Sequence, residues 1–361
     1  MAQLPCLLEH KNRAISLMRK RFTIGDVAKL AGVGKVTVSY VLNGHGDHNR
    51  ISKETQERIQ AAARELEYRP NAVARSLVSK RANAISVVFQ YATYFRAGSS
   101  FVNELMRGVC EECVEADINL ILHTRTFRTV EEEADALMDV RSDGAIILRD
   151  VNDPLLPLLH KRQFPVVTFF SRPELSNIPY VDSDNVGGAI TATKYLQSLG
   201  HRIIGMVTGS PWSVASNDRR NGFENGLGES FQDSLVLPYC QDNFPCQFME
   251  WVKIQRPTAI LCWSDDQAFE CISILQKNGI QVPNDISVMG FDSSEECDRM
   301  NPPLTSMRQP IIDIARSAVR TLISASNQLP IKAETIFPQT LDIRGSTMSL
   351  QNKPSSLKRI P

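Results

Sequence analysis

Between Thr23 and Asn43 the chain reads TIGDVAKLAGVGKVTVSYVLN, two short apolar stripes of helical period parted by Gly32, Val33 and Gly34. In the first stripe Ile24, Val27, Ala28, Leu30 and Ala31 recur at helical spacing, and Thr23 stands three residues before Asp26 in the pattern of an N-cap. The second stripe, Val38, Val41 and Leu42, leaves Lys35, Val36, Thr37, Ser39 and Tyr40 pointing away from any small core. Two short helices joined by a glycine turn, with a polar outer face on the second, form the device that lays side chains in a DNA major groove. An ordinary helical hairpin in a core is the alternative reading of this segment alone.

The chain that follows narrows the choice. The loop NGHGDHN leads to Ser52, and a third helix is expected from Lys53 to Leu66, with Thr55, Arg58, Arg64 and Glu67 on its wet side. In YRPNAVARSLVSK, Pro70 stops the chain, Asn71 suits a helix start, and a short run of helix formers follows. DVAKLAGV, TVSYVLN and YRPNAVARSL, in this order, resemble the lactose-repressor (LacI/GalR) family of bacterial transcription regulators.

Charge points the same way independently. From Arg19 to Arg81 there are 13 Lys or Arg against 6 Asp or Glu, while the whole chain carries 40 of each, so the remainder has a deficit of seven. A basic head on an acidic body is the footprint of a nucleic-acid module joined to a domain that binds something else. No apolar run reaches the roughly 18 residues that a membrane helix requires. The start, MAQLPCLLEHKNRAISLMRK, lacks the apolar core of a secretory signal and reads as a disordered extension over 1–20. The eight cysteines are scattered, which suits a reducing cytoplasm. Cys110 and Cys113 form a CxxC, but no second pair stands at zinc spacing, so neither metal nor cofactor is expected.

From Ala84 the texture turns to apolar strands alternating with amphipathic helices. AISVVFQ, INLILHT, DGAIIL and FPVVTFF read as strands, with helices over Phe101–Glu115, Val130–Val140 and Leu155–Arg162 between them. A second series begins near Asp182: helix Asn185–Leu199, strand RIIGMVTG, helix Arg220–Gly228, strand TAILCW, helix Asp266–Asn278 and strand ISVMGFD. The expected fold is an all-α helix-turn-helix head (21–69), a hinge helix and linker (70–81), and a two-lobed α/β body with parallel sheets (82–345). The resemblance implies that this body is periplasmic-binding-protein-like and that PPLTSMRQP carries the chain back between lobes. The end, 346–361, has no leucine heptad and reads as a disordered tail.

Parallel sheets bind ligands at the carboxyl ends of their strands, which here face a cleft between lobes. Asp292 ends SVMGF and can accept paired hydrogen bonds from hydroxyls or ring N–H groups. Arg219, in SNDRRNGF, matches the arginine that the family uses on its effector. Ser264 and Asp265 close TAILCW, where the family more often has Asn-Asp. Phe101 opens the first body helix, at a position that is often aromatic in the family. Trp212 and Phe244 are candidate stacking surfaces for a sugar, and Arg149, just past DGAIIL, is a further polar candidate.

On the DNA side, the resemblance places Lys35, Val36 and Tyr40 against bases and Thr37 and Ser39 against phosphates, with Thr23, Asn43 and Arg50 beside them. Tyr40 departs from the usual Arg, which grips guanine with two hydrogen bonds where a phenol offers one. Gly34 replaces the usual Ser and so gives up a cap. Asn71, Ala74, Arg75 and Leu77 match the family's hinge helix, whose leucine wedges into the minor groove. A helix that short does not hold itself folded in water, which implies two hinges acting together in a homodimer on double-stranded operator DNA. A small-molecule effector, a sugar or related metabolite, would then control that binding. A sugar-binding protein without regulatory role, cytoplasmic or exported, is the competing reading, and the basic head has no place in it. No GxGxxG after a strand, no Walker loop and no Ser/His/Asp grouping suggests an enzyme.

Overall fold

The computed structural model describes residues 22–69, 81–90, 100–149, 152–173, 177–239 and 242–352, and the chain divides into two units, Met1–Lys80 and Arg81–Pro361. In the first unit α1 (Ile24–Ala31), α2 (Lys35–Leu42) and α3 (Lys53–Glu65) enclose a small core of Val27, Ala28, Ala31, Val38, Val41, Ile59, Ala62 and Ala63. Thr23 and Asp26 close a reciprocal capping box at the start of α1. Gly32, at φ +65, ends the helix in the left-handed conformation that a residue without Cβ adopts freely. Arg58 on α3 donates to the carbonyl of Ala31 at 3.0 Å, satisfying a carbonyl at the end of α1 and tying the two helices. Leu30, expected in the stripe, is 47% exposed, because α3 covers the Val27–Ala31 side of α1 and not this position.

The second unit is built from two six-stranded sheets. The first contains β1 (Ala84–Phe89), β2 (Asn119–His123), β3 (Ala145–Leu148), β4 (Val166–Phe169), β5 (Tyr180–Ser183) and β11 (Glu334–Phe337), all parallel, in the order β11-β5-β4-β3-β1-β2. The second contains β6 (Ile204–Thr208), β7 (Val236–Pro238), β8 (Ala259–Cys262), β9 (Ser287–Asp292), β10 (Thr305–Arg308) and β12 (Thr340–Asp342), in the order β12-β10-β9-β8-β6-β7, with only β12 antiparallel. Every residue of β1, β3, β4, β6 and β8 is buried, as expected of strands covered on both faces by crossover helices.

Sequence order and spatial order part company at the lobe boundary. The chain crosses after β5 into α7 (Asn185–Ser198), returns after β10 into α12 (Ile311–Ser326), and crosses again between β11 and β12. Helix α12 belongs to the first lobe, where Ile311, Ile314, Ala315, Ala318, Val319 and Leu322 pack with Leu105 and Val109 of α4 (Ser100–Glu115) and with the strands. The two helices lie close enough at Gly108 that a Cβ there would meet the Ile312 carbonyl oxygen at 2.5 Å. One turn on, Glu112 accepts from Arg320 at 2.8 and 2.7 Å and from Arg316 at 3.1 Å, so a largely buried carboxylate is fully paired across the same seam.

Three further expectations are corrected. Helix α8 runs over Val214–Leu227, starting six residues before the expected Arg220, because Ser213 accepts from the Ser216 amide and caps it there. A helix not read from the sequence, α9, spans Phe244–Gln255, with Pro245 in its first turn where a missing N–H costs nothing. The reading of 346–361 as a tail fails over its first residues. Ser346 is fully buried, donates to the Val288 carbonyl at 2.6 Å and accepts from the Thr305 amide at 2.8 Å. The Met348 carbonyl lies 3.1 Å from His201 Nε2, and the Leu350 amide donates to Leu199. Backbone groups and the hydroxyls of Ser346 and Thr347 hold this segment, and none of these leaves a mark on hydrophobic periodicity. Ser346→Ala leaves the buried Thr305 N–H and Val288 carbonyl unpaired, and we expect a loss of about 1–3 kcal/mol, read by urea unfolding of the body.

Candidate functional site

Each of the three crossings carries one polar side chain, and these meet. Ser183, at the first, donates to Gln309 Oε1, at the second, and Gln339 Nε2, at the third, donates to Ser183 Oγ at 3.0 Å. From this seam two arms reach side chains nominated above. Gln309 Nε2 donates to Asp292 Oδ1 at 2.5 Å. Asn185 Oδ1, within 3.4 Å of Gln339 Nε2, accepts from Arg219 Nε at 2.8 Å. The structure thus brings Arg219 and Asp292 together at the junction of the lobes.

Arg219 is 3% exposed on the buried side of α8. Its guanidinium also donates to the Trp263 carbonyl and lies over two aromatic rings, 4.5 Å from the Phe291 centroid and 5.8 Å from that of Trp263. Burial pulls its pKa down, and the fields of Asp292, Asp182, Asp265 and Asp218 oppose that pull. Asp292 is half-buried and ends β9 at φ +111, a backbone region that L side chains seldom occupy. The turn after it is pinned by Ser293 N–H to Ser306 Oγ at 3.1 Å and Ser294 N–H to Asp265 Oδ2 at 2.8 Å.

The other nominated positions divide. Asp265 is buried, and its oxygens accept from Ser294, Ser306 and Cys297, so it organises the Asp292 turn from inside the second lobe. Ser264 caps α10 (Asp265–Lys277) through the Gln267 amide. Phe101 packs edge-on against Phe170, with centroids 4.9 Å apart, at the border of the first core. Phe244 is corrected outright: at 1% exposure it stacks with Phe248 and Tyr239 inside the second lobe and offers no platform. Arg149 is also drawn away, its guanidinium paired with Glu133 and Asp153 in the first lobe. Trp212 stands 64% exposed on the loop after β6, and the indole beside Arg219 is that of Trp263 instead.

The structure adds Trp263, Phe291, Asp182, Asn185, Gln309 and Gln339 to the surroundings of Arg219 and Asp292. Trp263 adjoins Ser264 in sequence and was within reach of a strand-end argument. Phe291 adjoins Asp292 and was equally within reach, whereas Asp182, Asn185, Gln309 and Gln339 depend on which strands cross, which the sequence does not display. Asp182 is fully buried; its Oδ1 accepts from the Ser183 amide at 2.7 Å and from Asn185 at 3.3 Å, while Oδ2 has no partner among the described residues.

In the head, Lys35, Val36, Tyr40, Asn43 and Arg50 are exposed, Thr37 and Ser39 are half-buried, and Thr23 is taken up by its cap. Val36 is 65% exposed, an apolar side chain turned to solvent at the front of α2. Gly34 occupies the N-cap of that helix with no side-chain hydrogen bond, as its lack of a hydroxyl dictates. Asn71, Ala74, Arg75 and Leu77 lie outside the described residues.

Residues 23–71 match the model of the lacI family of bacterial regulatory proteins, and residues 193–347 that of a periplasmic binding protein-like domain. The HTH-type transcriptional repressor PurR of Vibrio parahaemolyticus is 33% identical over 317 residues, covering 83% of this chain and 91% of the relative. The chain belongs to the LacI family. It is a DNA-binding transcriptional regulator with a helix-turn-helix and a periplasmic-binding-protein-like body. A transcriptional regulator CelR–cellobiose complex superposes with a TM-score of 0.67 at 28% identity, covering 90% of this chain and all of that one. A lac repressor dimer bound to operator and an anti-inducer shares the fold at a TM-score of 0.78 and 24% identity, over 91% of this chain and all of that one. Among the described residues no helix is long and apolar enough to cross a membrane.

Burial raises the carboxyl of Asp292 to about 8 and that of Asp182 to about 7, from an ordinary 3.8. A carboxyl whose native pKa lies above its unfolded one favours folding when protonated. The contribution is complete below 3.8 and is lost as the pH climbs to about 7 for Asp182 and about 8 for Asp292. Asp182→Asn, which cannot ionise, is expected to raise the melting temperature of the body above that of the parent at about pH 8.5, with the gap narrowing toward about pH 5. A gap that stays constant with pH rejects this account.

Proposed function

We propose that this regulator is a cytoplasmic, homodimeric repressor that occupies a near-palindromic operator and answers to a small-molecule effector, a sugar or related metabolite, held between the lobes. The observation that carries the reading is the polar seam at the three crossings, which joins Arg219 and Asp292 to every strand that passes between the lobes. A ligand bound there has different contacts in open and closed arrangements and so can shift the balance between them. The PurR relatives are named repressors and a solved neighbour holds cellobiose, which supports repression and a small effector.

On the DNA side, Lys35, Val36 and Tyr40 face bases from the front of α2, with Thr37, Ser39, Asn43 and Arg50 on phosphates. Tyr40 makes the half-site differ from one read by Arg at that position. Asn71, Ala74, Arg75 and Leu77 form the hinge, with Leu77 as the minor-groove wedge. The protein acts as a binder and not as an enzyme.

Selection of duplexes from a random library by the purified chain, followed by affinity measurements with and without candidate metabolites, tests this directly. Leu77→Ala is expected to lower affinity for the selected operator by at least about tenfold while leaving metabolite affinity unchanged. Equal operator affinity would reject the hinge assignment. Arg219→Lys keeps the charge but loses the planar donor set that holds Asn185 and the Trp263 carbonyl, and is expected to weaken metabolite binding at least about tenfold. Unchanged metabolite affinity would place the site elsewhere.

A further inference from the structure

The surroundings of Arg219 are unbalanced in charge and in hydrogen bonding, and both imbalances have the same sign. Arg172 pairs with Asp218 at 2.6 Å, which leaves Asp182, Asp265 and Asp292 around a single buried guanidinium. That guanidinium is engaged by its own chain: Nε by Asn185, Nη1 by the Trp263 carbonyl, and its flat face by Phe291 and Trp263. It is therefore poorly placed to fork onto an incoming phosphate or carboxylate. Asp265 is satisfied within the second lobe. The unmet demand lies on acceptors. Among the described residues, Asp182 Oδ2 and Gln339 Oε1 on the third crossing are buried without a partner, and half-buried Asp292 presents a carboxyl group from the end of β9. A buried oxygen without a donor is costly and calls for an N–H or O–H to meet it.

We propose that the interlobe site takes an uncharged or cationic small molecule carrying at least two O–H or N–H donors, a free polyol, amino sugar or nucleobase, and turns away its phosphorylated or carboxylated derivatives. This rests on the reading of the junction as the effector site and adds the ligand's chemical class. Above about pH 8, where Asp182 and Asp292 are both ionised, an anionic ligand would add a further negative charge beside them, while Arg219 is engaged by its own chain and Arg172 by Asp218. At an effective dielectric of about 20 and a separation of about 6–12 Å, one such repulsion weakens binding roughly ten- to hundredfold.

The test uses the full chain and scaffold-matched probes: ribose against ribose 5-phosphate, glucose and glucosamine against glucose 6-phosphate, and adenine against adenosine monophosphate. Melting temperature is followed first, and calorimetry is applied to any probe that raises it. The expected result is a rise with one or more uncharged or amino probes and none with its phosphorylated counterpart, with Asp182→Asn reducing that discrimination about tenfold. A phosphorylated probe that binds as tightly as its parent overturns the proposal. A rise with no probe at all counts against the effector reading itself, and the sign of the site is then read without any ligand. In a Trp212→Phe chain, which removes the exposed indole and leaves Trp263 and the buried Trp251, quenching by caesium and by iodide is measured at about pH 8.5, each as a ratio to its quenching of free tryptophan, and the caesium ratio is expected to be the larger. A larger iodide ratio overturns the charge argument and leaves the effector reading standing.

Discussion

The body depends on a single hydrogen-bonded seam. Three strands pass between the lobes, and Ser183, Gln309 and Gln339, one from each passage, bond to one another. None is apolar, and each would be costly to bury alone, yet together they use most of their donors and acceptors. Because Gln309 also donates to Asp292 and Asn185 accepts from Arg219, any change in those two side chains is felt at all three passages. A polar network at a hinge constrains angle as well as distance, which apolar packing at the same place would not.

The two units are built differently. Around the seam, buried carboxylates outnumber cations, and burial holds Asp182 and Asp292 well above the ordinary carboxylate range. The helical head has a core of few residues, and its fixity comes from caps and ties: the Thr23–Asp26 box, Gly32 in the left-handed region, and Arg58 reaching the Ala31 carbonyl. Such fixity keeps Lys35, Val36 and Tyr40 outward on α2. Tyr40 lies outside that core, so the fold does not constrain it, whereas Gly34 leaves α2 without a side-chain cap.

Much of this was legible in the sequence. The helical stripes of the head, its capping pair and most strands of both lobes follow from local periodicity, and their boundaries shift by only a few residues in the structure. Where the structure differs, the missing information was how side chains pack once an element has formed. Phe244 reads as a free platform because the segment around Pro245 carries no helix expectation; once α9 forms, its ring turns inward onto Phe248. Arg149 reads as available because hydropathy does not show that Asp153, four residues on, and Glu133 turn their carboxylates onto its guanidinium. Residues 346–352 looked like a tail because pairing through backbone and Ser346 is invisible to hydropathy.

The sequence by itself determined the family, the head, the alternation of strand and helix, and the two charges, Arg219 and Asp292, that stand at strand ends and helix faces toward the cleft. Each of these is a local property, set by spacing within about twenty residues or by a motif matched in place. Tertiary structure alone decided that α12 belongs to the first lobe, that three strands cross, and that Asp182, Asn185, Gln309 and Gln339 converge on the same guanidinium and carboxylate. The physical reason is that crossings join residues more than a hundred positions apart, and a hydrogen bond between such residues depends on sheet order, which no local pattern encodes.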